Sequence, residues 1–197
     1  MVGLEGKMST LLNNSLKQFA SISVFQFMIM VFTELAVLTL VLVLVSKRTN
    51  KEIRLTDIAS FFCLIVYVNI IMQLTLLGRK DGSRIGVELS LFKYLGESAF
   101  SRQMLMYAVL NVLLFVPYGF IVSWLPWFRK QKACVSILLT TMVCLASSLL
   151  IEMVQLITER GYYELEDLVC NTLGGLIGSL LYAGFIKCLM VIQENRR

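Results

Sequence analysis

The sequence predicts an all-α fold: a polytopic membrane bundle of five transmembrane helices, with an interfacial or re-entrant loop between helices two and three. Three observations predict it. Of the 197 residues, 57% are hydrophobic and only 16% are charged, where a soluble domain carries roughly 25%. The apolar residues gather into five stretches close to the roughly 20 residues a bilayer-crossing helix needs. The only prolines are Pro117 and Pro126, which suits long helices. A single soluble core in so short a chain could not hide this much apolar surface. The composition therefore excludes disorder, a secreted disulfide scaffold and a typical cytosolic enzyme.

The elements follow in order. Leu4, Met8, Leu11, Leu12 and Phe19 recur at helical spacing, so 1–22 is expected to lie along the membrane surface. The first span runs over 19–46 and is broken only by Glu34. It is too long for the apolar region of a signal peptide and lacks a cleavage site, so it is expected to remain as an anchor. The second span, 58–78, lies between Asp57 and Arg79. The third, 103–128, lies between Arg102 and Arg129. The fourth, 133–158, is uncharged until Glu152, and the fifth, 168–186, lies between Asp167 and Lys187. Backbone groups in lipid have no water to bond, so these spans are helices. A barrel would need alternating segments of about ten residues, and none occurs. The loop 79–102 opens with the polar, turn-forming run from Gly78 to Gly86 and continues with an apolar segment fit to lie at the interface. These divisions place a two-helix region at 23–73, with helix two continuing to about 78, a second region at 74–184, and a cytoplasmic tail at 185–197.

Counts narrow the chemistry. There is no histidine, which removes Ser-His, Cys-His and His-base mechanisms and His-ligated metals. Cys63, Cys134, Cys144, Cys170 and Cys188 form no CxxC pair and read as small core residues. No metal and no cofactor are therefore expected. The net charge of +5 sits in short loops between spans, where topology and lipid headgroups account for it better than nucleic acid does.

Five spans put the termini on opposite sides. The basic segments 47–56, with four Lys/Arg against Glu52, and 129–132 share a side with the C-terminus. The loop 159–167 on the other side carries Glu159, Glu164, Glu166 and Asp167 against Arg160 alone. The positive-inside rule then puts the N-terminus outside and the C-terminus in the cytoplasm.

Polar residues inside spans carry the functional signal, because a charged group at a helix centre costs roughly 2.5–3.5 kcal/mol on insertion scales. Ser148, Glu152, Gln155 and Glu159 follow i, i+4, i+7, i+11, one face of a helix. The fifth span opens with Glu164, Glu166, Asp167 and Asn171, and its Gly174-xxx-Gly178 spacing lets another helix approach closely. Tyr107, Asn111 and Tyr118 share a face of the third span, and Asn69 and Gln73 a face of the second. For Glu34, Asn69 and Gln73 the plain reading is hydrogen-bonded helix joining, with Glu34 protonated in mid-span. Arg79, Asn111, Glu152, Gln155, Asp167 and Asn171 lie toward one side, where they can form a single cluster. Two weaker signals remain. Ser90 and Lys93 match S-x-x-K without the companion motifs of that chemistry. Arg79, Lys80 and Arg84 in the turn-forming run could hold a phosphate or simply touch anionic lipid.

These motifs resemble a known family. NVLLFVPYGF from Asn111 resembles the N-x-x-x-F-x-P-x-G signature of VanZ-like proteins. SLLIEMVQ from Ser148, then Arg160, Glu164 and DLVCNTLGG from Asp167, agree in order and spacing. The stretch from Arg79 through Glu88 to Phe92 resembles the family's R…v-N-L-x-P-F segment, with Glu88 in place of Asn, Leu91 in place of Pro, and Glu164 in place of a downstream Asp. The resemblance covers 74–184. It implies a bacterial inner-membrane protein linked to resistance against teicoplanin-type glycopeptides, whose targets are cell-wall precursors outside the membrane. The candidate ligand-binding residues are then Arg79, Asn111, Glu152, Gln155, Arg160, Glu164, Asp167 and Asn171. Glu152 and Asp167 are the candidates for acid/base work, Arg79 and Arg160 for holding an anionic group. The expected partners are membrane lipids and a lipid-linked cell-wall precursor or glycopeptide. Two alternatives stand beside this one: a membrane enzyme acting on a lipid-linked substrate, for which paired carboxylates suit acid/base catalysis or Mg²⁺ on a diphosphate, and a non-catalytic subunit of a membrane complex.

Overall fold

Five helices long and apolar enough to cross a membrane make up most of the described protein. The computed structural model describes residues 24–49, 54–77, 84–91 and 100–196. The helices are α1 (Val24–Thr49), α2 (Leu55–Met72), α3 (Phe100–Trp124), α4 (Ala133–Ile157) and α5 (Leu165–Glu194). The expected surface segment 1–22 and the expected cluster member Arg79 lie outside the described residues.

α1 packs chiefly against α2, and none of its apolar window is buried. That suits a helix with lipid on most sides. The tightest packing is between α3 and α5, and glycine creates it. A Cβ on Gly119 would strike the Gly175 carbonyl, one on Gly174 the Val112 carbonyl, and one on Gly178 the Val116 carbonyl. Because lipid tails are as apolar as leucine, close backbone packing supplies the association that a hydrophobic driving force supplies in water. The Gly174-xxx-Gly178 spacing is therefore a packing device. Pro117 sits inside α3, where an imino acid removes one helical N–H.

The core forms where α2, α3 and α4 meet. Phe115 is fully buried, and it joins Ile71, Tyr118, Val122, Cys144 and Ile151. Phe115 and Tyr118 meet edge to face with ring centroids 5.5 Å apart. Hydroxyls stitch the helices together. Tyr67 donates to the Leu114 carbonyl at 2.8 Å, Tyr118 bonds Ser147 at 2.9 Å, and Ser123 bonds Thr140 at 3.0 Å.

Two irregular features sit at one end of the bundle. α2 continues into a π-helical turn, Gln73–Leu77, so the second span reaches Leu77, close to its expected limit. Between α2 and α3 lies a strand, β1 (Arg84–Glu88), which pairs in parallel with β2 (Arg160–Glu164) between α4 and α5. The helical class holds, with this ribbon added to it. Within the described part of 79–102, Arg84–Glu88 pairs as a strand. Glu159 has φ 56° and reverses the chain between α4 and β2. At the opposite end a 3-10 turn, Phe128–Lys130, joins α3 to α4, and Arg129 pairs with Asp57 at the start of α2. α5 continues to Glu194, so much of the segment expected as a tail is helical.

Candidate functional site

α4 delivers the polar stripe to the ribbon end as its spacing requires. Ser148, Glu152 and Gln155 are all buried, Glu152 to 1% exposure. Each meets a different element. Ser148 accepts a hydrogen bond from Asn171 Nδ2 of α5 at 2.9 Å. Glu152 Oε2 accepts the Glu164 backbone N–H at 2.9 Å. Gln155 Nε2 donates to the Thr75 carbonyl at 3.0 Å. The fourth member of the stripe, Glu159, is exposed at the turn.

The Glu152 bond explains how the ribbon is seated. β2 leaves α4, reverses, and brings the last residue of the strand back over α4 by one turn and more. A backbone amide at the start of a helix has no partner within that helix, and a carboxylate is a strong acceptor for it. Glu152 thus caps the entry to α5 from the neighbouring helix.

Asn111 Nδ2 donates to Asp167 Oδ1 at 2.5 Å across the glycine-lined α3–α5 interface. Arg160, Glu164 and Asp167 are half-buried around this pair and the ribbon, and each of them, like Glu152, is held by additional polar or electrostatic interactions. The backbone register sets Arg84 beside Arg160 and Glu88 beside Glu164. The structure therefore brings Asn111 to Asp167, Glu152 to Glu164, Asn171 to Ser148, and Gln155 to the π turn. Among the described residues, no group of three or more Cys, Asp or Glu side chains is placed to hold a metal ion.

Sequence spacing missed the role of Thr75. Its carbonyl lies within the π turn Gln73–Leu77, a feature that often accompanies function. Composition gives no sign of it. The pair Asn69 and Gln73 divides. Asn69 Nδ2 donates to Glu34 Oε2 at 2.7 Å and to the Ile65 carbonyl at 2.8 Å, which joins α1 to α2. Gln73 is 2% exposed, yet among the described residues neither its amide nitrogen nor its oxygen has a partner, and Asn171 Oδ1 has none there either. Tyr107, expected on one face with Asn111 and Tyr118, is exposed while Tyr118 is buried. Lys93 of the S-x-x-K match lies outside the described residues, while Ser90 Oγ bonds Glu88.

The residues that form these contacts run in the order Asn111, Ser148, Glu152, Gln155, Arg160, Glu164, Asp167, Asn171, and the VanZ/LLP1 family model matches residues 61–188, around all of them. The chain belongs to the VanZ/LLP1 family. No curated protein and no solved structure matches the chain. The VanZ/LLP1 match takes in most of α2 and α5 and everything between. α1, with Glu34, lies outside it.

Proposed function

We propose that this VanZ/LLP1 protein resides in the bacterial cytoplasmic membrane, with the N-terminus outside and the C-terminus in the cytoplasm. In this reading the ribbon end faces outward and binds an envelope ligand, a lipid-linked cell-wall precursor or a glycopeptide, and so contributes to teicoplanin-type resistance or to cell-envelope function. The observation that carries the reading is the convergence on one membrane end of Glu152, at 1% exposure, with Asn111, Gln155, Asp167 and Asn171. Charged and amide groups in apolar helices are expensive and usually mark a site. A lipid-linked precursor presents a diphosphate and peptide amides at the membrane surface. Arg160, with Arg79, would take the anionic group through the guanidinium fork. Asp167, oriented by Asn111, would accept from ligand amides.

Geometry favours binding over acid/base catalysis for Glu152, because one of its oxygens is occupied by the Glu164 backbone. The test is a glycopeptide susceptibility assay in a strain that depends on this protein. Asp167→Asn and Arg160→Gln are expected to return susceptibility to that of a strain lacking the protein, with membrane levels unchanged on an immunoblot. Wild-type susceptibility in both variants at normal levels would overturn the proposal.

A further inference from the structure

The end of the bundle away from the ribbon contains a cavity of about 630 Å³ between the start of α4 and the second half of α5. This is within the roughly 300–1,000 Å³ typical of ligand sites. Its walls divide by chemistry. Ile137, Tyr182 and Met190 are apolar, whereas Arg129, Gln131 and Lys187 are polar or cationic. Lys130 and Lys132, both at the surface, belong to the same connection. Asp57, at the start of α2, is already engaged by Arg129. Arg129 and Lys187 line the wall, and no Asp or Glu is among the lining residues.

Three further features converge there. Arg129 is fixed by Asp57 and by Thr56, so its guanidinium is oriented before any ligand arrives. The first N–H groups of α4 have no intrahelical acceptor. Ser136 is the first to bond back, to the Lys132 carbonyl at 2.9 Å, and Lys132 supplies no side-chain cap. The positive end of a 25-residue helix thus opens beside Ala133, which lines the cavity. Trp127 is 57% exposed and packs edge to face on Phe128, as aromatic residues do at the depth of lipid headgroups. Cations at headgroup depth above an apolar slot are complementary to one class of molecule.

We propose that this cavity is a binding site for an anionic glycerophospholipid. The phosphate sits against Lys187, Gln131 and the α4 N-terminus, and an acyl chain runs along Ile137 and Met190. Gly184 lines the cavity, and a Cβ placed there would meet nothing within 4 Å. The site lies at the membrane end opposite Glu152 and is independent of the envelope-ligand reading.

The test is native mass spectrometry of the full chain in a mild detergent, titrated with dioleoyl-phosphatidylglycerol and, separately, with dioleoyl-phosphatidylcholine. The wild type is expected to retain one phosphatidylglycerol in preference to phosphatidylcholine. Lys187→Gln is expected to weaken that binding about fivefold, as loss of one basic group near an anionic lipid should. Gly184→Phe has room for its Cβ on the cavity wall, and is expected to abolish retention while leaving helicity by circular dichroism unchanged. Should Gly184→Phe lower helicity, Ile137→Trp takes its place as the filling variant. Equal retention of the two lipids, or undiminished phosphatidylglycerol binding in Lys187→Gln and in the filling variant, would overturn the proposal.

Discussion

At the scale of single residues, burial and hydrogen-bond partners decide what each polar group does. Gln73 is buried, and among the described residues both of its amide atoms are unpartnered. Such a group forfeits about 1–3 kcal/mol of desolvation. Gln73→Met, which keeps length and volume, is therefore expected to raise the thermal unfolding midpoint in detergent. A fall would mean that the amide is engaged. Glu152 gives the opposite case. Glu152→Gln keeps an oxygen for the Glu164 N–H and should leave the fold intact. Glu152→Leu strands that N–H and should cost about 1–3 kcal/mol, read from the same melting experiment. The sequence put Glu152 on the right face because helical spacing is a local property. It could not show that the partner would be the Glu164 backbone, because that depends on a chain reversal at Glu159.

At the scale of elements, the glycines set how α3 and α5 meet, and this packing places Asn111 against Asp167. Gly178→Leu pushes a side chain into the Val116 carbonyl, where backbone must move. Overpacking costs typically run to about 3 kcal/mol. This variant is expected to reach that, and to break the Asn111–Asp167 hydrogen bond by forcing the two helices apart. Gly184→Ala, on the same helix and facing open space, is the matched comparison and is expected to melt at or above the wild-type midpoint, since alanine is the better helix former. The spans themselves were legible because lipid leaves a backbone no other solution. The ribbon was not. β1 and β2 are five residues each and lie more than seventy positions apart, and no local pattern announces a parallel pairing at that separation. The π turn Gln73–Leu77 is equally silent, since no local residue pattern marks it.

At the scale of the whole molecule, the two ends differ in charge. One gathers the carboxylates of 159–167 around the ribbon, and the other has Arg129 and Lys187 on the cavity wall, with Lys130 and Lys132 exposed in the adjoining connection. The proposed orientation predicts that alkaline phosphatase fused after Glu159 is active, whereas the same reporter fused after Arg129 is inactive. The reverse pattern would invert both assignments. The family match over 61–188 leaves α1 at the margin, and α1 joins the rest of the described structure through α2 and the Asn69–Glu34 hydrogen bond.

The sequence by itself determined the number of spans, their helical state, the face of α4 that carries the polar groups, and the family. All of these follow from local spacing and from the scarcity of water in a bilayer. Only the tertiary structure decided that Glu152 caps the Glu164 amide, that Gln155 reaches a π-turn carbonyl, and that a basic cavity opens at the far end. Those contacts join segments distant in the chain, and their existence depends on how closely α3, α4 and α5 can approach.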